Sequence, residues 1–250
     1  MATRLLDLTL GNPFRNVAME QALFEVSESP LLRVWENQKS VVVGRAQLVE
    51  AETDVGYCEI HGIPIVRRFT AGGTVYNGPG NTNWTFVAKK DAEGGGPRYS
   101  PDANAVFKEV ALLVIGALAG CGVAAVFDPP NRILDREGRK VSGMAAYVSN
   151  RATICHGTLL RSADLSEAEK VSSVREGVVP GRYPRSRSAA MANCGIGRDE
   201  FVLALAQQIG ATKGTGAVTT KEEARCEDFF VSRYSDPGWN LGDPFALDYL

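Results

Sequence analysis

Arg67-Arg68-Phe69-Thr70-Ala71-Gly72-Gly73-Thr74-Val75-Tyr76-Asn77-Gly78-Pro79-Gly80-Asn81 is the stretch of this 250-residue chain on which its reading turns. An apolar, extended run (Ile63, Ile65, Val66) leads into two arginines, a Gly-rich turn, and a β-branched and aromatic run. Paired glycines after a strand let a backbone approach a ligand closely and turn N–H groups toward it. An arginine beside such a turn offers a fixed fork for carboxylate or phosphate. Adjacent strand residues face opposite ways, so at most one of Arg67 and Arg68 points inward. The stretch alone fits two readings equally: a pocket for an anionic ligand, or a Gly-rich hairpin with a solvated arginine pair.

A second segment separates them. Asn131-Arg132-Ile133-Leu134-Asp135-Arg136-Glu137-Gly138-Arg139-Lys140-Val141-Ser142-Gly143-Met144-Ala145-Ala146-Tyr147 is followed by His156-Gly157-Thr158-Leu159-Leu160. With residues 67–81 it resembles the lipoate–protein ligase family. That family shows an Arg-Arg-x-Ser/Thr-Gly-Gly-Gly-Ala/Thr-Val-Tyr/Phe-His-Asp loop, a Gly-x-Lys-x-Ser-Gly-x-Ala strand and a His-Gly-Thr-Leu-Leu strand. Residues 16–20 look like its first helix, 41–47 like its next turn, and 238–242 like the end of its catalytic domain. The motifs come in the family's order and run from the first helix to the C-terminus.

The resemblance implies a chemistry and a site. Lipoate is joined to ATP, giving lipoyl-adenylate and pyrophosphate, and the acyl group passes to a lysine of a lipoyl carrier domain. ATP, Mg2+ and lipoate are therefore the expected cofactors and substrate. Arg68 matches the ligand-binding arginine. Gly72 and Gly73, with the backbone of Thr74, Val75 and Tyr76, match the nucleotide loop, and Asn131 is a further nucleotide contact. Lys140 matches the catalytic lysine between acyl carbonyl and α-phosphate, where a compact ammonium suits a developing anion. Without that match, Lys140 would read as a solvated strand-end lysine of little weight for stability. The implied fold is α/β of the α+β type: a mixed, largely antiparallel sheet with packed helices, like biotin ligases and class II aminoacyl-tRNA synthetase cores. Residues 1–250 are expected to form a single catalytic domain, without the C-terminal accessory domain of larger members. In bipartite members that domain is a separate small protein, so such a partner is expected for adenylation.

Composition agrees. The apolar fraction of 44% suits a globular core, and a formal net charge of −2 weighs against a nucleic-acid binder. Cys58, Cys121, Cys155, Cys194 and Cys226 are scattered and odd in number, which fits a reducing, cytoplasmic setting better than a disulfide framework or a zinc site. The first residues form neither a signal peptide nor a membrane span, since Asp7 interrupts a short apolar stretch.

Periodicity predicts helices over residues 17–26, 52–61, 104–118, 164–172, 198–209 and 221–234. Ser100-Pro101 is the expected start of the third, and Thr220 and Glu223 have capping-box spacing in the last. Strands are expected over 31–35, 40–43, 63–68, 74–77, 82–89, 123–127, 132–135, 141–148 and 153–160, in one continuing sheet. Residues 91–100, 175–187 and 210–216 read as loops, the second carrying Arg182, Arg185 and Arg187. No G-x-G-x-x-G follows the first strand and no G-x-x-x-x-G-K-[ST] occurs, so Rossmann and P-loop readings are poor.

The chain departs from the family pattern at three places. Ala71 replaces a glycine, which is tolerable only if its φ is negative. Asn77-Gly78 replaces His-Asp. Asn131-Arg132 replaces Asn-Asp, so a magnesium ion would need another acid, Asp135 or Asp128. His156 reads as a hydrogen-bonded pocket or core residue, and Trp35 and Trp84 as core or acyl-tunnel lining. Rival readings are an octanoyl or lipoyl transferase with a cysteine nucleophile, a biotin ligase, and a non-catalytic lipoate-binding module. Val126 stands where one transferase branch has its cysteine, Cys194-Gly195 matches the other poorly, and the biotin ligase loop is absent. Ser142 lacks the histidine and carboxylate pattern of a serine hydrolase.

Overall fold

A computed structural model of the chain describes residues 3–92, 96–172, 181–211 and 216–246. Parts of the three expected loops, residues 93–95, 173–180 and 212–215, lie outside the described residues. The chain order is β1 (Arg4–Asp7), α1 (Pro13–Val26), β2 (Leu31–Trp35), β3 (Ser40–Val43), α2 (Val49–Glu52), α3 (Val55–Ile60), β4 (Ile65–Arg67), β5 (Val75–Asn77) and β6 (Asn81–Lys89). Then follow α4 (Ala103–Gly120), β7 (Ala125–Asp128), β8 (Arg132–Asp135), β9 (Lys140–Val148), β10 (Ala152–Leu160), α5 (Leu165–Val171), α6 (Arg198–Gln208), α7 (Thr220–Phe229), a π-helical turn (Phe230–Tyr234) and α8 (Pro237–Leu241).

Seven strands form one sheet in the order β1-β2-β6-β10-β9-β8-β7, and three form a second in the order β4-β3-β5. Pairing is antiparallel except for β1 with β2 and β3 with β4. The sheet is thus mixed and largely antiparallel, as expected, but it is two sheets and not one. Between β3 and β4 the chain makes α2 and α3, which carry it across for parallel pairing; a parallel pair needs such a crossover.

Alternation along the strands assigns the two faces of the large sheet. Leu32, Val34, Trp84, Phe86, Cys155 and Leu159 pack against α4 and α6. Leu31, Trp35, Val87 and Ile154 face α1, with Cys226 and Phe229 of α7 behind it. The small sheet packs its own cluster, Val41, Val43, Ile65 and Tyr76, on α3 and α5. By length and composition α4 is apolar enough to cross a membrane. Here its Val106, Val110, Ala111, Val114, Ala117 and Leu118 stripe is buried in the core between the sheet and α6.

Caps fix the helix starts. Asn12 accepts from the N–H groups of Phe14 and Arg15 at α1. At α4 the cap is Asp102, which accepts from Asn104 N–H, and not Ser100. At α7 the capping box is Thr219 with Glu222, one residue before the expected Thr220 and Glu223. Edge strand β1 was not legible in the sequence, being four residues with two of them buried.

Candidate active site

A pocket of about 340 Å³ opens between the two sheets, on the α1 side of the large one. Its floor follows from strand register. Trp35 on β2 lies opposite Asn83 on β6, Asn83 opposite Thr158 on β10, Thr158 opposite Gly143 on β9, and Gly143 opposite Arg132 on β8. All five line the pocket. At the usual strand spacing this row is about 19 Å wide. It runs from an aromatic and amide end to a cationic end.

The Gly-rich loop after β4 forms the opposite wall. Gly72 has φ +100°, the left-handed region that favours glycine, and a Cβ there would lie 3.0 Å from Arg68 Nη2 and 3.2 Å from Ala145 Cβ. Ala71, by contrast, has no positive φ, so its methyl group is accommodated.

Both arginines before the loop are buried, Arg67 at 0% and Arg68 at 4% exposure. Arg68 faces the pocket, but most of its fork organises the loop: Nε donates to Thr70 Oγ1, Nη1 to Val42 O, and Nη2 to Ala71 O and Gly73 O. Burial lowers its pKa to about 10. Arg67 turns the other way and is no surface residue. It donates to Gly44 O, Arg45 O and Gln47 O, and to Trp239 O and Gly242 O.

A relay sits beneath Arg68. Thr70 Oγ1 accepts from Arg68 Nε and shares a second hydrogen bond with His156 Nε2, 2.8 Å away. His156 Nδ1 then donates to Glu20, at 2.9 and 3.0 Å, and Glu20 also accepts from Thr85. Burial alone would raise the Glu20 carboxyl, but His156, Thr85 and Arg33 hold it below its ordinary value. His156 is therefore a hydrogen-bonded pocket residue, with both ring nitrogens engaged.

Lys140 opens β9, and its ammonium lies over Gly143, where a Cβ would stand 2.8 Å from Nζ. Among the described residues this ammonium has no hydrogen-bond or ion-pair partner. Burial first, then Arg132, Arg68 and Arg187, push its pKa below the ordinary lysine value. Lys140 is half-buried rather than fully solvated, and three guanidiniums, Arg132, Arg68 and Arg187, stand close enough to act on it.

The loop carrying Arg185 to Arg187 returns over the Gly-rich turn. Ser186 Oγ accepts from Thr74 N–H at 2.8 Å and from Gln47 Nε2 at 3.1 Å, and donates to Glu52. Gln47 Oε1 accepts from Gly44 N–H and from the Thr74 hydroxyl. Arg185 pairs with Glu52 at 2.9 Å. Thus Thr74 N–H, expected to face a ligand, is taken by Ser186. Gly72, Gly73, Thr74, Val75, Asn131 and Lys140 line the pocket with Arg68, whereas Tyr76 packs in the small-sheet core and is not among the lining residues. Asn131 Nδ2 donates to Met144 O. Gln47, Glu52 and Ser186 were missed by sequence reasoning, because only folding brings their distant segments together.

None of the five free cysteines lines this pocket. Burial raises the pKa of Cys58, Cys121, Cys155, Cys194 and Cys226 above the ordinary thiol value. Val126 is exposed on β7. The site offers no thiolate, which a transferase would need. Trp84 is core with 0% exposure, and Trp35 both core and lining.

Comparison with known proteins agrees with this geometry. A curated relative, Lipoate-protein ligase A subunit 1 of Thermoplasma acidophilum, is 28% identical over 97% of each chain. A solved bipartite lipoate protein ligase studied with its E2 lipoyl domain, from the same organism, has 25% identity and a TM-score of 0.83 over 97% of each chain. A T. acidophilum structure with bound lipoic acid has 25% identity and a TM-score of 0.82, covering 97% of this chain and 100% of that one. A lipoate-protein ligase A structure bound with ATP has 26% identity and a TM-score of 0.81 with the same coverage. Residues 12–209 match the lipoyl protein ligase A/B catalytic domain, and the chain belongs to that family.

Proposed function

We propose that the chain is an ATP-dependent lipoate–protein ligase that forms lipoyl-adenylate and transfers the lipoyl group to a lysine of a lipoyl carrier domain. The observation that carries this reading is the half-buried Lys140, whose ammonium has no partner among the described residues, at the cationic end of a pocket whose other end is aromatic. An acyl chain extends toward Trp35 and Asn83, which sets its carboxylate near Lys140. A carboxylate oxygen attacks the α-phosphorus, the bond to the bridging oxygen of the β-phosphate breaks, and pyrophosphate leaves with the electron pair. Lys140 offsets the charge gathering on the transferring phosphate. Arg68, held through Thr70, His156 and Glu20, keeps the Gly-rich loop in place. The carrier lysine then attacks the acyl carbonyl and releases AMP.

The magnesium ion implied by the resemblance does not fit the protein groups. A magnesium site of this kind uses one or two carboxylates with the substrate phosphates. Glu20 is the one carboxylate among the lining residues and is committed to His156 and Thr85. Of the expected substitutes, Asp135 is held by Arg139 and by the N–H groups of Glu137 and Arg139, and Asp128 by Arg132 and Arg187.

We place the accessory role in a separate small protein, with residues 1–250 as one catalytic domain. The support is the end-to-end match to a relative designated subunit 1. A cytoplasmic location is supported by the five free thiols. The test is mass spectrometry of a lipoyl domain incubated with the chain, lipoate, ATP and magnesium, with preformed lipoyl-adenylate in a parallel tube. Lipoylation from the adenylate is expected from the chain alone, and lipoylation from ATP is expected to rise with the accessory subunit. No lipoylation in either tube, with that subunit present, would overturn the reading.

A further inference from the structure

We propose that Arg132 and Arg187 stand in for a metal ion: they grip the outer phosphates of ATP and make its binding independent of a divalent cation. The inference rests on the ligase reading above.

Arg132 lies opposite Gly143 in the β8–β9 ladder, and Lys140 lies over the same glycine, so both cations converge on one spot of the floor. Arg187 approaches the same spot from the returning loop, one residue after the Ser186 that bonds Thr74 N–H. The acid beside them is Asp128, held by Arg132 Nε at 2.6 Å and reached by Arg187 Nη2 at 3.7 Å. Three positive groups thus share one negative one, and the excess is partly desolvated. Excess like charge in a partly desolvated place is costly until an anion enters. A polyphosphate supplies that anion, and planar guanidinium forks suit its oxygens.

The lining carboxylate Glu20 is 2% exposed and already accepts from His156 and Thr85, so it offers a metal in the pocket little. A cation bridging the phosphates would therefore gain little from the protein and would compete with two guanidiniums, Arg132 held by Asp128 and Arg187 reaching in from the exposed loop. During adenylation, pyrophosphate departs carrying the electron pair of the broken P–O bond. Arg132 and Arg187 hold that charge as it forms, and no proton transfer is required.

The experiment is calorimetric titration of the chain with α,β-methylene ATP, which cannot give up its adenylyl group, in EDTA and in magnesium. Lipoate titration and thermal denaturation run beside it as fold controls. The wild type is expected to bind with Kd values within about threefold of each other in the two conditions. Arg132→Gln and Arg187→Gln are each expected to weaken binding in EDTA by about tenfold or more, the loss of roughly 1.4 kcal/mol or more, with lipoate affinity kept. Arg132→Asp is expected to make binding magnesium-dependent. The inference is overturned if the wild type needs magnesium, if it binds the nucleotide in neither condition, or if both glutamine variants bind like wild type. Loss of lipoate binding by the wild type would instead remove the ligase reading itself.

Discussion

Gly44→Ala tests whether the Gly-rich loop is held in place from below. A Cβ at Gly44 would lie 2.1 Å from the carbonyl oxygen of Gly72 and 3.1 Å from its carbon. That contact must open by nearly 1 Å merely to reach 3.0 Å, the lower edge of what real Cβ atoms show. The neighbour is backbone, so no rotamer change relieves it. The loop also resists sliding, because Arg68 grips Ala71 O and Gly73 O and Ser186 holds Thr74 N–H. Overpacking of this sort costs about 1–3 kcal/mol. In a domain of this size each kcal/mol lowers Tm by roughly 2–4 °C. A misplacement near 1 Å at a positioning element costs on the order of 10²-fold in function. Thermal denaturation and titration with a hydrolysis-resistant lipoyl-adenylate analogue read the two effects. An unchanged Tm with affinity within about threefold of wild type, a difference under 1 kcal/mol, would refute the reasoning.

Lys140→Met should slow adenylate formation by about 10²–10³-fold while leaving Tm unchanged or higher, since a half-buried charge repelled by three guanidiniums is removed; near-normal pyrophosphate release would sink the assignment. The pH dependence has a definite sign. Burial and the neighbouring arginines hold Lys140 below its unfolded value, so between the two values the unfolded chain binds more protons and stability rises with pH. Adenylation should fall over the same window as the ammonium is lost, and in Lys140→Met both trends should flatten in pH-dependent melting and rate profiles. Glu20→Gln should destabilise the fold by about 1–3 kcal/mol through the His156–Thr70 relay, read as a lower urea midpoint; an unchanged midpoint would mean the relay is idle. Each single Cys→Ser variant should still lipoylate a carrier from preformed adenylate, and an acyl-thioester trapped on the wild-type chain would contradict this.

Much of this molecule was legible in its sequence because much of it is local. The apolar periodicity of residues 104–118 and the alternation of 141–148 and 153–160 are properties of adjacent residues, and α4, β9 and β10 lie where those patterns put them. The site residues Arg68, Gly72, Gly73 and Lys140 were likewise carried by short motifs. What escaped depends on distant segments. Ser186 meets Glu52 and Thr74 across more than a hundred residues, and nothing in a serine between two arginines announces this. The split into two sheets is decided by where β3 finds β4 and β5, which no single strand encodes. Partial burial of Lys140 also arises from packing: a polar residue next to a turn looks solvated until the chain at Ala190 and Ala192 returns beside it.

Arg67 has a mechanical consequence. One guanidinium gathers carbonyls from residues 44, 45 and 47 and from residues 239 and 242, while its own carbonyl accepts from Trp239 Nε1. Gly44 and Gln47 are the surfaces on which Gly72 and Thr74 rest. The side chain is thus a fulcrum, with α8 as the handle on one side and the nucleotide loop as the load on the other. A protein that docked on α8 and displaced it by a fraction of an ångström would tilt the loop without touching the pocket.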